Sequence, residues 1–444
     1  MRKAALLVAW FLPWFPPMVP FAAAQKAAGN GKTASVATGK LVAVKVTGTE
    51  RYTDKEILAA SGLELGRNAD DANFKEAVQR LGDTGLFSDV AYSYSYSPAG
   101  ARLELQLVDT DKSKLVPAHY ENFVWFTDAE LTSEIQRRVP LFKQVLPLAG
   151  SLPDQVSEAL QEILGARHLP GRADYLRESK PGTGEAGDLI GIAYKVGDAN
   201  FYIRDAEFPG AGPDQLPPLK AAARKLTGAE YVRSSLAIVA KVDYLPVYLQ
   251  RGYLKAAFAQ PDARVVTQTS TEVQVDAIFP VTPGKIYSTS GVAWKGNAAV
   301  PAEQLQSLLH LPLGQPADAV GLDADLKNVQ KLYHTRGYMA VRVQVEPLLD
   351  DATSTVHYDL SVVEGDLFQM GELEIVGLDS QAKARLQNAW TLREGQPYNS
   401  DYPKEFLKNA FRLLPHDEQW IADIREAVDA KEKTVDVTIR FTAR

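Results

Sequence analysis

Few residues in this 444-residue chain have the type and spacing for phosphate, metal or nucleophile chemistry, and in each case the surrounding sequence argues against it. Gly182-Thr183-Gly184-Glu185-Ala186-Gly187 spells G-x-G-x-x-G. A dinucleotide loop must leave a strand and open a helix, whereas this run precedes Leu189-Ile190-Gly191-Ile192-Ala193-Tyr194, which reads as a strand; the glycines belong to a hairpin loop. Gly31-Lys32-Thr33 copies the end of a P-loop, but Lys26 stands where its first glycine is required. The histidines, His119, His168, His310, His334, His357 and His416, form no i, i+4 pair and no H-E-x-x-H, so metal ligation is not expected. No G-x-S-x-G is present. Asp109-Thr110-Asp111-Lys112 and Asp350-Asp351 carry enough carboxylate for a cation, yet their context reads as solvated turns. Arg167, His168 and Arg172 are the residues an enzyme reading would have to use, and it is the weakest reading of the chain. The expectation is no enzyme, no cofactor and no metal. What remains is backbone chemistry, the unpaired amides and carbonyls of strand edges, which bind extended segments almost independently of their sequence. The row Tyr92, Tyr94, Tyr96 is either core or part of such an edge.

The elements that would present those edges recur. Glycines eighteen positions apart occur as Gly48/Gly66, Gly210/Gly228, Gly296/Gly314 and Gly377/Gly395; the first members are 162, 86 and 81 residues apart. Since 162 is twice 81, a degenerate copy is expected between the first two pairs, which makes five units.

Each first glycine ends an alternating apolar segment, such as Val42-Ala43-Val44-Lys45-Val46 or Leu373-Glu374-Ile375-Val376, which predicts a half-buried strand. Thr53-Asp54-Lys55-Glu56 has capping-box spacing and starts a short helix. A second, amphipathic helix follows the second glycine, with Phe74, Ala77, Val78 and Leu81 on one face in unit one and Leu322, Leu326, Val329 and Tyr333 in unit four. That helix stops at Gly85, Gly252 or Gly337, the last two within Y-x-x-R-G-Y, where positive φ is expected. Two alternating strands complete the unit: Val90, Tyr92, Tyr94, Tyr96 then Leu103, Leu105, Leu107 in unit one; Val356, Tyr358, Leu360, Val362 in unit four; Val435, Val437, Ile439, Phe441 in unit five. The predicted fold class is α+β, a tandem array of five β-α-α-β-β units, each a three-stranded mixed sheet covered on one face by two helices, with small interfaces between units.

This pattern resembles a tandem array of POTRA domains, the periplasmic modules that precede the barrel in bacterial outer-membrane assembly and translocation proteins of the BamA and TamA kind. The residues that carry the resemblance are Gly48, Gly66 and Gly85-Leu86-Phe87; Gly210, Gly228 and Gly252-Tyr253; Gly296, Gly314 and Gly337-Tyr338; and Gly377 and Gly395. Unit two departs from it: its first strand is read as Tyr120 to Phe126, without the glycine, and 140–170 is longer and proline-rich. Unit five has Leu414-Pro415-His416-Asp417 in place of the last glycine. The expected division is 1–24 signal peptide, 25–39 flexible lead-in, and units at 40–112, 113–199, 200–284, 285–366 and 367–444.

Arg2-Lys3, the apolar run Ala4 to Leu12 and Ala22-Ala23-Ala24-Gln25 read as an export signal. Pro13, Pro16, Pro17 and Pro20 argue against a retained membrane helix. A net charge of −7 with mixed signs and no basic tract gives no reason to expect nucleic acid. The absence of cysteine suits an oxidising compartment. The chain ends at Arg444, directly after the last strand of unit five, so no barrel and no pore activity are expected of it.

The resemblance implies a non-enzymatic scaffold or chaperone-like protein of the periplasm, associated with the outer membrane, that binds unfolded outer-membrane precursors or a barrel-bearing partner by β-strand addition. Membrane contact would be indirect or through an uncleaved N-terminal segment. An envelope interaction protein in cell division or peptidoglycan coordination is the alternative. In a β-α-α-β-β unit the last strand pairs with both others and leaves the strand after the glycine step at an edge. The expected edges are Tyr253 to Gln260 in unit three, with Tyr253, Leu254, Ala256 and Phe258, and Met339 to Glu346 in unit four, with Val341, Val343 and Val345.

Overall fold

A computed structural model describes residues 38–180, 188–414 and 419–443. The export segment, the P-loop-like triplet, the G-x-G-x-x-G run and Pro415-His416-Asp417 lie outside the described residues.

Among the described residues, five mixed sheets follow one another along the chain. In unit one the strands are Gly39–Thr47, Phe87–Ser97 and Gly100–Asp109, with helices Asp54–Ser61 and Asp71–Asp83 between the first two. The last strand is central, parallel to the first and antiparallel to the one before it. The same arrangement recurs in the four later sheets. Local signals account for the pieces. Thr53 accepts from Glu56 N at 3.3 Å while the Glu56 carboxylate accepts from Thr53 N at 2.7 Å, a complete capping box. Phe74, Ala77 and Leu81 are buried along one face of the second helix.

Both repeated glycines of the eighteen-residue pair have positive φ, for different reasons. A β-carbon on the first would lie 2.1 Å from Leu107 O at Gly48 and 1.9 Å from Phe441 O at Gly377, so glycine lets the chain cross closely over the last strand. The second meets nothing within 4 Å; its amide instead donates 2.8 Å to the first strand, Gly66 to Leu41 O and Gly314 to Thr289 O. Two residues later the chain bridges to that strand. The pairs Lys40↔Asn68, Tyr202↔Glu230, Ser288↔Pro316 and Gln369↔Pro397 all span 28 positions.

Unit two corrects the sequence reading. Its first strand is Leu115–Tyr120, not Tyr120 to Phe126. Residues 121–126 form a turn whose Phe123, Val124 and Phe126 are buried, and this apolar run imitates a strand. Asn122 stands in for the missing glycine: its Nδ2 donates to Val196 O at 3.0 Å and its Oδ1 accepts from Val196 N at 2.7 Å, joining turn to last strand through a side chain. Val145–Pro147 then pairs with Leu115–Pro117, so the strand order matches unit one despite the proline-rich sequence.

The cores of units four and five are separate clusters, but those of units one to three form one continuous apolar cluster from Leu41 to Val281. Buried residues of the first three units therefore meet across their joints, whereas units four and five keep cores of their own.

The sheet of unit three encloses a buried carboxylate. Asp276, whose side chain is 1 % exposed, receives Arg204 Nε at 2.8 Å and Nη2 at 2.6 Å, and Arg264 Nη2 at 2.8 Å. Burial alone pushes its carboxyl up, but the two guanidinium groups hold it below the usual range. With a depressed folded value, its contribution is present above the ordinary carboxylate pKa of about 3.9 and is lost as pH falls through the folded value. Asp276→Asn is expected to destabilise the chain by about 2 kcal/mol at neutral pH, below the ~3–5 kcal/mol of breaking a fully buried pair because both arginines are half exposed. The difference from wild type should shrink in urea titrations below about pH 3; an equal loss at both pH values would assign the effect to packing.

Candidate functional site

With the last strand central in each mixed sheet, the strand after the helices lies at an edge in every unit: Phe87–Ser97, Arg172–Ser179, Asp262–Gln268, Arg342–Asp350 and Trp420–Asp429. Unit three is a correction. Tyr253 to Gln260 is not its edge: Tyr253, Leu254 and Ala256 lie in a turn, and Ala257–Phe258 pairs with Val281–Thr282 in a separate ribbon. Leu254 leaves its own unit to pack on the core of unit four. The true edge, Asp262–Gln268, is flanked by unit two, where Trp125 Nε1 donates to Gln268 Oε1 at 2.6 Å and the side chain of Arg233 bridges Asp128 and Asp262.

In unit four Val343 and Val345 stand on the edge strand as expected, whereas Val341 precedes it and is a buried member of the unit core. The strand also runs past Glu346 and contains Pro347, opposite Tyr358 in an unbroken register. Proline has no N–H to donate, so it fits the ladder only where the missing donor faces outward. Val343 and Val345 alternate with Pro347 in the same phase, so their N–H groups face the open edge. In unit one the tyrosine row lies against the helix side: Tyr92 donates to Asp71 at 2.9 Å, Tyr96 to Ala69 O at 3.3 Å, and Tyr94 packs 5.2 Å from Phe74 while 40 % exposed. Those rings line the rim of a core and also the flank of an edge.

Beside the unit-four edge is a groove of about 380 Å³. Val345, Pro347 and Leu349 form its strand wall, Leu322 and Leu326 of the helix Ala319–Thr335 its second wall, and Leu249 and Leu254 reach in from unit three. Tyr358 also lines it; this residue is 2 % exposed and its hydroxyl has no hydrogen-bond partner among the described residues. Burial, with Asp318 nearby, pushes that hydroxyl up to about 12, which keeps it protonated and able to donate. The helix residues were legible only as a core stripe, and nothing in the sequence showed that unit three would supply a wall.

The glycine step after the second helix is the joint to the next unit. A β-carbon on Gly252 would lie 2.7 Å from Tyr287 O, and on Gly337 2.5 Å from Phe368 O. In return Tyr287 N donates to Gly252 O at 2.8 Å and Phe368 N to Gly337 O at 2.9 Å. At the joint of units three and four, Lys255 Nζ reaches both oxygens of Asp351 at 2.6 and 2.7 Å, the Tyr287 hydroxyl donates to Asp351, and Lys285 Nζ donates to its carbonyl at 3.1 Å. Lys255 and Tyr287 hold the Asp351 carboxyl below its ordinary range. Asp351 keeps the exposure of a turn carboxylate and is also a joint residue, while Asp350 caps the turn by accepting from Ala352 N at 2.8 Å. Arg167 lies over the Phe126 ring at 4.5 Å and His168 takes φ 55° just past the helix Leu152–Ala166, so both serve the end of that helix.

Residues 40–116 and 287–365 match the POTRA family model, described as the surface antigen variable number repeat. These stretches coincide with units one and four. A Treponema pallidum (strain Nichols) protein provisionally described as an outer membrane protein assembly factor is 23 % identical over 167 residues, 37 % of this chain. The match spans 20 % of that relative's length. Among solved structures, POTRA domains 3–5 of Haemophilus influenzae BamA align with 55 % of this chain and 95 % of theirs at 19 % identity and a TM-score of 0.41. POTRA domains 1–3 of Anabaena Omp85 align with 75 % and 98 % at 14 % identity and 0.18.

Proposed function

We propose that this protein is a non-enzymatic periplasmic scaffold of outer-membrane protein assembly or translocation, and that it holds extended segments of barrel precursors, or of a barrel-bearing partner, by β-strand addition. The POTRA match of units one and four and the likeness to an assembly factor support the process. The observation that carries the mode of binding is the open edge Arg342–Asp350 lying beside an apolar groove. An added strand takes the outward N–H and C=O groups of Val343 and Val345, and places alternate side chains against Val345 and Leu349. Backbone pairing is indifferent to side-chain identity and the groove asks only for apolar character. Together they suit a protein that handles many β-rich clients.

The test uses a fluorescein-labelled ten-residue peptide alternating threonine with valine. Val343→Pro deletes an outward donor and leaves the ladder to the central strand intact, so binding should weaken about tenfold with unit four still folded by hydrogen exchange. Gln344→Pro removes an inward ladder donor and should instead open the hairpin. Equal affinity for wild type and Val343→Pro would remove this edge as the recognition surface.

A further inference from the structure

The groove in unit four is not made by unit four alone. Leu249 and Leu254 come from unit three, and the next residue, Lys255, makes the ion pair that joins unit three to unit four. Its partner Asp351 stands two residues beyond Leu349 of the opposite wall. One polar cluster thus holds both sides of the groove in register.

The repeat supplies an internal comparison. Aligned on the glycine steps, Gly252-Tyr253-Leu254-Lys255 corresponds to Gly337-Tyr338-Met339-Ala340 at the joint of units four and five. Ile286-Tyr287 corresponds to Leu367-Phe368, and the hairpin turn from Asp350 to Thr355 corresponds to that from Asp429 to Thr434, placing Ala430 at the position of Asp351. The backbone joint is the same, with Leu254 and Met339 each packed on the following core. All three members of the polar cluster, Lys255, Tyr287 and Asp351, are replaced together by Ala340, Phe368 and Ala430. Three positions far apart in sequence but joined in space carry the polar set at one joint and an apolar set at the other. The joint of units four and five is fastened differently, by Lys433, which pairs with Asp366 and lies over the Phe368 ring at 5.7 Å, so the fold of the joint does not require this particular cluster.

We infer that Lys255, Tyr287 and Asp351 form a latch that sets the angle between units three and four, and that this angle completes the binding groove, so that client binding and inter-unit geometry are coupled. The inference rests on the reading of the unit-four edge as the client site. Both ion-pair partners are about half exposed, so the latch is weak and sensitive to salt, as suits a joint that opens and closes. A ligand that touches both walls binds only the latched state and shifts the population toward it. By reciprocity the latch raises client affinity by the same factor.

The experiment transplants the apolar set of the other joint, Lys255→Ala, Tyr287→Phe and Asp351→Ala, into the full chain. The chain has no cysteine of its own, so Ser235→Cys in unit three and Asn328→Cys in unit four can carry a spin-label pair. The alternating threonine–valine peptide should bind the transplanted chain about threefold to tenfold more weakly than wild type. Wild-type affinity should fall as salt rises from about 20 to about 500 mM, and that of the transplant should not. The inter-label distance distribution should broaden in the transplant and narrow again when the peptide is added. If wild type binds the peptide and the transplant binds it equally at both salt concentrations, the latch inference is overturned while the client-site reading stands. An unchanged distance distribution in the transplant likewise overturns it. If wild type itself does not bind, the client-site reading fails and takes the inference with it.

Discussion

Gly85→Ala is expected to destabilise the first two units by about 3 kcal/mol or more, whereas Gly66→Ala costs only about 1 kcal/mol. Both glycines have positive φ, 77° and 86°, so each substitution meets the left-handed penalty of an L-residue. Surroundings separate them. A β-carbon on Gly85 would lie 1.9 Å from Ala149 O, 2.9 Å from Ala149 C and 3.2 Å from Gly150 Cα, all backbone of unit two, where no rotamer change gives relief. The same contact is fastened by Ser151 N donating to Asp83 O at 2.7 Å and by the Ser151 hydroxyl donating to that oxygen at 3.0 Å. On Gly66 the added carbon meets nothing within 4 Å. Urea unfolding followed by hydrogen exchange should show Gly85→Ala loosening units one and two together, since their cores are continuous. Equal losses for the two variants would mean that φ alone decides, and that the close approach at the joint is relieved by movement.

Arg233→Ala should cost about 2 to 4 kcal/mol, centred on the joint of units two and three. The side chain is 4 % exposed, donates through Nη1 to Asp128 at the start of a unit-two helix, and lies 3.9 Å from Asp262 at the start of the unit-three edge. Around it, Arg233 N donates to Glu121 O at 3.3 Å and Ser234 N to Glu121 Oε2 at 2.9 Å, so the unit-two turn caps the unit-three helix Arg233–Val239. Alanine leaves a cavity and two carboxylates without their shared cation; both are partly exposed and rehydrate, which keeps the cost below the upper limit for buried charges. Arg233→Lys should recover less than half, because an ammonium cannot span both carboxylates as the planar guanidinium does. Hydrogen exchange of Asp262–Gln268 reports the result. Unchanged protection there would show that the Trp125 and Phe201 ring contact, at 5.6 Å, holds the joint without the ion pairs.

The amino-acid sequence by itself determined the unit and its repetition. Capping at Thr53 and Glu56, the apolar stripe of Phe74, Ala77 and Leu81, and positive φ at Gly252 and Gly337 are all set within about a dozen residues, where hydrogen bonding and periodicity leave a direct trace. The centrality of the last strand followed as well: the chain returns from the two helices antiparallel to the first strand, and the hairpin after it brings the last strand back parallel to the first and between the two. Tertiary structure decided where units touch. An apolar run in unit two became a turn because Asn122 could bond Val196, 74 residues away. The stretch after Gly252 became a joint, with Leu254 packed on the core of the next unit. The wall that unit three lends to the groove, and the pairing of Lys255 with Asp351 across 96 residues, have no periodic signature. Local preference fixes elements through neighbours along the chain. Joints and grooves are fixed by which surfaces meet, and that depends on every element having already been placed.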